Sequence, residues 1–176
     1  MGCALASPGG GPEVGVEPEP LSAEQKRLVR DSWAALHRDI GHIGVIVFIR
    51  LLETHPECKD AFFHFRDVAD LEELRSSREL QAHGLRVMSF IEKTVARLGE
   101  PEQLRQLMWD LGQSHHRYGA PPRYYQYVEE QFLQAARDML DQKWTEEVEA
   151  AWKSLFRYLV AVMKLGYAAS EEGGED

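Results

Sequence analysis

The chain has 176 residues, of which 44% are hydrophobic and 28% are charged, and its formal net charge is −9. This length suits one domain with a single core, and the longest apolar run, residues 43–49, is far shorter than the roughly 20 residues that span a bilayer. The acidic balance argues against nucleic acid as a partner. Two cysteines, Cys3 and Cys58, are too few for a disulfide scaffold or a thiolate zinc site.

Both ends of the chain have the composition of flexible acidic tails. Residues 1–20 contain three Glu, five Gly and four Pro but no Lys or Arg, and residues 168–176 contain four acidic residues. The intervening segment, residues 21–167, carries a charge of only −2 and is the predicted domain. Most of the net charge therefore belongs to the tails.

The first three residues, Met1-Gly2-Cys3, suggest lipid attachment. Gly2 becomes a myristoylation site once Met1 is removed, and Cys3 beside it is a natural site for palmitoylation. Stable anchoring needs two such signals, and the tail has no polybasic patch to supply the second. Because the usual pattern has Ser or Thr at position 6, where this chain has Ala6, an unmodified N-terminus is the alternative.

Helical patterns begin after the N-terminal tail. Ser22 and Gln25 form a capping-box pattern, which predicts a helix over residues 21–38. Residues 40–54 are apolar on almost every side, as in a deeply buried helix. Gly41 and Gly44 within this segment indicate that another helix approaches closely.

The rest of the domain is also predicted to be helical. Pro56 marks a turn. It is followed by an aromatic corner, by a charged stretch and then by a long helix over residues 79–98. Further helices are expected from Pro101 to Gly119, from Pro122 with Tyr125 and Met139 among its inward residues, and from Thr145 to about Tyr167. Because no segment alternates with a period of two, we predict an all-α fold with six or more helices.

Two of the seven histidines lie on predicted inward helix faces. His83 precedes Val87 by four residues, and His115 follows Leu111 by four residues, so each lies on an apolar stripe. A buried imidazole needs hydrogen-bond partners or a metal. For either histidine alone, a hydrogen-bonded core position is the more common arrangement.

Considered as a pair, the two histidines point to a planar cofactor. Zinc needs about four ligands, and no Cys, Asp or Glu shares these two faces. Haem carries its own four equatorial ligands and needs only one or two axial histidines. Phe48, Phe62 and Phe65 would supply an apolar slot for the ring, although spacing alone does not distinguish such a slot from ordinary core.

Over residues 21–167 the sequence resembles the globin family. Within that family it is most similar to the globin X group and next to the neuroglobins, on residues 54–60, residues 85–93 and the Met1-Gly2-Cys3 start. The features shared with globins generally are Trp33, Gly44 with Gly84, Pro56 with Phe62 six residues later, Phe65, His83 with Val87, and the run Leu111-Gly112-Gln113-Ser114-His115.

The resemblance implies a globin fold of six to eight helices packed around haem b. His115 would be the proximal iron ligand and His83 the distal ligand in the resting state, unless His83 stands away from the iron and hydrogen-bonds a gas ligand. Phe62 would stack on the haem, and Phe48 and Val87 would shape the distal pocket.

The resemblance also predicts supporting contacts around the two histidines. The second ring nitrogen of His115 should donate a hydrogen bond to the Leu111 carbonyl or to the Ser114 hydroxyl. Arg86 and His64 are candidates for the haem propionates, with a solvated helix residue as the alternative for Arg86. His116 should face the surface, because it points about 100° away from His115. Cys58 should be a free thiol at the corner near the haem.

The implied function is that of a membrane-tethered redox globin. Acylated Gly2 and Cys3 would hold the protein on the inner, cytoplasmic face of the plasma membrane. Oxygen, carbon monoxide and nitric oxide would bind after His83 leaves, and the protein would pass electrons to a redox partner protein, reduce nitrite or protect lipids from oxidation. Reversible oxygen storage or transport, and gas or redox sensing through a partner, are the alternatives, and enzymatic activity is left open.

Overall fold

A computed structural model describes residues 18–62 and 65–174. Within these ranges the chain forms seven α-helices joined by turns and 3-10 helices, and it forms no strand. This confirms the predicted all-α architecture. The helices are α1 (Ala23–Leu36), α2 (Ile40–Thr54), α3 (Leu71–Arg75), α4 (Arg78–Ala96), α5 (Pro101–Tyr118), α6 (Tyr125–Leu140) and α7 (Glu146–Glu172).

The helix ends follow the local signals of the sequence. At the start of α1 the Gln25 amide donates to the Ser22 hydroxyl, and the Gln25 side chain accepts from the Ser22 amide, both at 3.1 Å. The Thr145 hydroxyl accepts from the Val148 amide at 3.1 Å and caps α7. Helix α5 ends at Gly119, whose φ of +71° is the left-handed conformation that glycine adopts without strain.

Trp152 of α7 lies at the centre of the core and has no exposed surface. Its indole nitrogen donates to the Ser32 hydroxyl of α1 at 2.9 Å, which satisfies the only polar group of this side chain. The rings of Phe132 and Trp33 lie 5.0 and 6.3 Å from it, centroid to centroid. Trp152 therefore joins α1, α6 and α7 around one apolar centre.

Helices α2 and α4 cross with their backbones in contact at Gly44 and Gly84. A Cβ atom at Gly44 would lie 2.7 Å from the carbonyl group of Gly84, which is closer than real Cβ atoms come. The prediction of a close crossing is confirmed for Gly44. It is wrong for Gly41, which is exposed at the first turn of α2, where no atom of another described element lies within 4 Å of its Cβ position.

Helices α5 and α7 also approach through glycine. A Cβ atom at Gly112 would collide with the Met163 carbonyl oxygen, and one at Gly166 would collide with the Trp109 carbonyl oxygen. No pattern in the sequence predicts this contact. It places the backbone of α5, the helix that carries His115, directly against α7.

Two other expectations need correction. Helix α7 runs to Glu172 rather than to about Tyr167, because residues 168–172 contain only Ala, Ser and Glu and no glycine follows Tyr167 until Gly173. The C-terminal acidic segment therefore begins as helix rather than as a flexible tail. Met139 is predicted on the inward face of α6 but is 38% exposed, because the buried face at this end of the helix runs through Ala136 and Leu140 instead.

Candidate haem site

His83 lies at the centre of an aromatic cluster. Its ring meets Phe48 edge-on at a centroid distance of 4.6 Å and Phe62 at 4.9 Å. Phe65 lies further away, at 6.5 Å. Phe48 belongs to α2, whereas Phe62 and Phe65 belong to the corner that follows it. The fold thus brings together His83 and the three phenylalanines that were predicted to form an apolar slot.

Two further residues predicted on this side lie on α4 beside His83. Val87, one turn after His83, is half-buried and packs against the core. Arg86 is exposed, and its guanidinium is near enough to His83 to help lower the pKa of that imidazole. A cation beside His83 suits a carboxylate of the cofactor. The propionate role of Arg86 stays a prediction. His64, the other propionate candidate, lies outside the described residues.

His115 on α5 is held by its own helix. Its Nδ1 atom lies 2.9 Å from the Leu111 carbonyl oxygen. Because a carbonyl can only accept a hydrogen bond, the proton lies on Nδ1 and the lone pair on Nε2. The Ser114 hydroxyl, the other predicted partner, instead donates to the Asp110 carbonyl at 3.0 Å.

Burial prepares both imidazoles for metal binding. It lowers the pKa of His83 to about 4, with smaller contributions from the charges of Arg86 and His115. Burial also lowers the pKa of His115, against the opposing effect of the Leu111 hydrogen bond. Both rings are therefore neutral at pH 7, and a neutral imidazole has the lone pair that binds iron.

Tyr125 contacts His115, although the sequence predicts only an inward position on its helix for Tyr125. Its ring meets the His115 ring at 5.2 Å with an interplanar angle of 86°. The Tyr125 hydroxyl is buried without a hydrogen-bond partner among the described residues, and burial raises the pKa of the phenol. Tyr125 begins α6, ten residues after His115, and no periodic signal in the sequence connects the two.

Two neighbouring predictions can be compared with the structure. His116 is not simply a surface residue, because it is half-buried and its ring meets Tyr167 at 5.0 Å. Cys58 is a free, fully buried thiol, as expected for a cysteine without a disulfide. Burial raises the pKa of Cys58 to about 11, which opposes a role in redox sensing.

Two surface clefts lie beside α2, and neither is lined by His83 or His115. A cleft of about 500 Å³ on the outer side of α2 and α4 contains none of the predicted haem contacts. It is lined by Gly41, His42, Val45, Ile46, Arg75, Gln81 and Leu85. The candidate site is therefore defined by its histidines and aromatic rings rather than by the size of a cleft.

Known proteins resemble this chain in sequence and in fold. A family model described as Globin matches residues 46–163, about two thirds of the chain. The chain belongs to the globin family. It is 31% identical to a neuroglobin of Tetraodon nigroviridis over 158 residues, which cover 90% of this globin and 99% of that protein. A cytoglobin-2 of Danio rerio is 29% identical over 143 residues, which cover 81% and 80% of the two chains.

A solved structure has the same fold. It is the crystal structure of a hexacoordinated haem protein from an anhydrobiotic tardigrade, which matches with a TM-score of 0.79 and 21% sequence identity. The match covers 85% of this globin and 96% of that chain. The neuroglobin and cytoglobin relatives agree with the predicted family, and the finer likeness to the globin X group stays a prediction.

The cofactor of this globin is haem with iron, and its residues fit that group. Within the described ranges, no group of three or more His, Cys, Asp and Glu side chains could hold a metal ion on its own. Two neutral imidazoles on α4 and α5 suit a metal that already has four ligands in a plane. The aromatic rings around His83 suit an apolar macrocycle, and as a haem globin the protein binds oxygen and other diatomic gases.

Proposed function

We propose that this globin holds haem iron through both His115 and His83 and acts in redox chemistry at a membrane. The observation that carries the proposal is the pair of half-buried, neutral imidazoles on α4 and α5, with the His83 ring in contact with Phe48 and Phe62. When bound, the haem would supply iron that binds diatomic gases and a one-electron couple.

His115 is the permanent ligand in this proposal. Its Nδ1–H donates to the Leu111 carbonyl, which fixes the tautomer and directs the lone pair of Nε2 outward. The edge-on contact with Tyr125 limits rotation of the imidazole ring. Both contacts keep the donor atom in one orientation before the cofactor arrives, which lowers the entropic cost of binding.

His83 is the exchangeable ligand. Its edge-on contacts with Phe48 and Phe62 favour one ring orientation without any hydrogen bond to the imidazole among the described residues. A gas competes with this imidazole, so the apparent affinity for the gas is its intrinsic affinity multiplied by the fraction of molecules in which His83 has left the iron. Ligation by two histidines suits electron transfer, because the same two donors serve both oxidation states.

Membrane attachment through Gly2 and Cys3 is the second part of the proposal. The support is the Met1-Gly2-Cys3 start, which lies outside the described residues. None of the described helices has both the length and the apolar character that a membrane crossing requires. Two acyl chains bind a bilayer stably where one binds only marginally. Nitrite, a redox partner protein and lipid peroxides are the candidate partners at that surface.

The absorption spectrum of the purified ferrous protein tests the ligand set. Low-spin bands that convert slowly under carbon monoxide are expected, because His83 must leave first. His83→Leu should give a high-spin ferrous spectrum and faster carbon monoxide binding, whereas the exposed His42→Leu control should keep the wild-type spectrum. A high-spin spectrum of the wild type would instead favour reversible oxygen storage.

Membrane attachment is tested by fractionating cells that express the full chain. Gly2→Ala should remove the myristoyl mass and move the protein from the membrane to the soluble fraction. Cys3→Ser should weaken attachment, because a single acyl chain remains. Gly9→Ala is the matched control and should stay on the membrane. Unchanged attachment of the Gly2→Ala protein would refute acylation as the anchor.

A further inference from the structure

We propose that Gly112 and Gly166 are positioning residues that set where His115 stands in the haem site. This inference rests on the proposed role of His115 as the proximal ligand. A glycine has no side chain with which to contact the His115 ring, so each acts through the backbone contact between α5 and α7.

The two glycines make a reciprocal backbone contact. Gly112 of α5 lies against the Met163 carbonyl of α7, and Gly166 of α7 lies against the Trp109 carbonyl of α5. The next turn of α5 continues the same face, where the His116 ring meets the Tyr167 ring at 5.0 Å. Helix α5 therefore contacts the backbone of α7 at Gly112 and Gly166, and the His116–Tyr167 ring contact extends the interface by one turn.

No side chain at either glycine can be accommodated by a small local adjustment. The nearest atoms to a Cβ at Gly112 are the carbonyl oxygen, carbonyl carbon and Cα of Met163, and those at Gly166 are the same atoms of Trp109. Backbone atoms of a helix cannot rotate away as the end of a side chain can. One of the two helices must move as a body.

Helix α5 is the one that should move. Helix α7 is anchored by Trp152, which is fully buried and bonded to Ser32 of α1. Helix α5 begins at Pro101, ends before Gly119 and packs mainly on α7. A displacement of α5 carries His115 with it.

The displacement also reaches the hydrogen bond that orients the ligand. Leu111, whose carbonyl accepts from His115 Nδ1 at 2.9 Å, is the neighbour of Gly112 in the chain. A clash at Gly112 therefore shifts both the helix turn that carries His115 and the acceptor that holds its ring. Helix α4, which carries His83, is positioned by the same kind of contact, because Gly84, next to His83 in the chain, packs on Gly44 of α2.

The test uses haem-loaded protein in a His83→Leu background, where His115 would be the only protein ligand. Gly112→Ala and Gly166→Ala should each shift the iron–histidine stretching band in the resonance Raman spectrum of the ferrous protein. They should also speed the loss of haem to an excess of a haem-scavenging apoprotein by roughly tenfold or more, that is by about 1.4 kcal/mol or more of binding free energy. Gly41→Ala, at an exposed glycine with open space around it, is the matched control and should change neither quantity.

A second background separates positioning from a general loss of structure. In His115→Gly protein supplied with imidazole in solution, the ligand is no longer attached to α5. In this background, adding Gly112→Ala should leave the iron–imidazole band at the frequency that it has in His115→Gly alone. General damage to the pocket would still shift the band. Circular dichroism checks that each variant folds, and Gly166→Ala decides the question if Gly112→Ala does not fold.

The two proposals fail in different ways. If His115→Gly keeps the wild-type spectrum without imidazole, His115 is not the ligand and the proposed function itself is refuted. If imidazole restores the spectrum of His115→Gly, but folded Gly112→Ala and Gly166→Ala proteins show an unchanged band and unchanged haem loss, only the positioning role is overturned.

Discussion

Single residues in this globin show how burial sets chemistry. His83 and Cys58 are both removed from water, and in each the pKa moves in the direction that keeps the group neutral. For the imidazole, neutrality leaves a lone pair ready to bind a metal. For the thiol, neutrality removes the reactive thiolate. The same physical effect therefore favours chemistry at one residue and suppresses it at the other.

Cys58 should react very slowly with alkylating agents. Its pKa of about 11 lies two units above the ordinary value, so at pH 8 the thiolate population is lowered about 100-fold. Iodoacetamide labelling followed by mass spectrometry should show Cys58 reacting at least that much more slowly in the folded protein than in urea. The rate should rise about tenfold per pH unit up to about pH 11, because the thiolate fraction does so. Rapid labelling at pH 8 would contradict this assignment.

Ser32 should be important for stability although it is a small polar residue. Ser32→Ala leaves the indole N–H of Trp152 buried without a partner, which costs about 1–3 kcal/mol. Urea unfolding of the two proteins measures the loss. Ser76→Ala is the control, because Ser76 is exposed and bonds only the carbonyl of its own helical turn, so its free energy of unfolding should change little. Equal effects of the two changes would show that the Ser32–Trp152 bond contributes nothing specific.

At the scale of elements, glycines decide which helices touch. Gly41 and Gly44 have the same residue type and lie three positions apart on α2, yet only Gly44 meets another backbone. The sequence indicated a close approach somewhere on this helix but did not distinguish the two positions. The tertiary structure distinguishes the two positions, because α4 crosses α2 at Gly44, where Gly84 makes the contact.

The contrast between these two glycines gives a prediction for α2. Gly44→Ala must separate α2 from α4 and should destabilise the fold by about 1–3 kcal/mol or more. Gly41→Ala removes backbone freedom from the unfolded chain without any clash, so it should be neutral or stabilising by up to about 1 kcal/mol. Thermal or urea unfolding of both variants compares them directly. A Gly44→Ala protein as stable as Gly41→Ala would contradict the close crossing.

At the scale of the whole molecule, the domain and its charge are separate. The described core begins at Leu21, which is 8% exposed, and α1 begins at Ala23. The net charge of −9 is carried largely by the two ends of the chain, so it describes solubility more than ligand preference. Folding and haem binding should therefore not depend on the first residues, whereas membrane attachment should.

Deleting residues 1–17 tests this separation. The shortened protein should keep the melting temperature and the absorption spectrum of the full chain, because the described core begins at Leu21. It should also lose its membrane attachment, because Gly2 and Cys3 are removed. Differential scanning calorimetry and cell fractionation measure the two effects. A large fall in melting temperature would show that the N-terminal residues contribute to the fold.

The sequence by itself determined the six longer helices, three of their end signals and the apolar faces on which the two histidines lie. These features are local: a capping box spans four residues, and a helical stripe repeats every three or four. Ser22, Thr145 and Gly119 could therefore be assigned from their neighbours alone. The length of α7 was underestimated, because acidic composition was given more weight than the helix propensity of Ala and Glu.

The tertiary structure alone decided which faces meet. The contacts of Tyr125 with His115, of Gly112 with Met163 and of Gly166 with Trp109 join residues on different helices. Periodicity shows which face of a helix is apolar, but it does not specify which helix covers that face or at what height. Those choices depend on the packing of all seven helices at once, and they set where His83 and His115 stand relative to the haem.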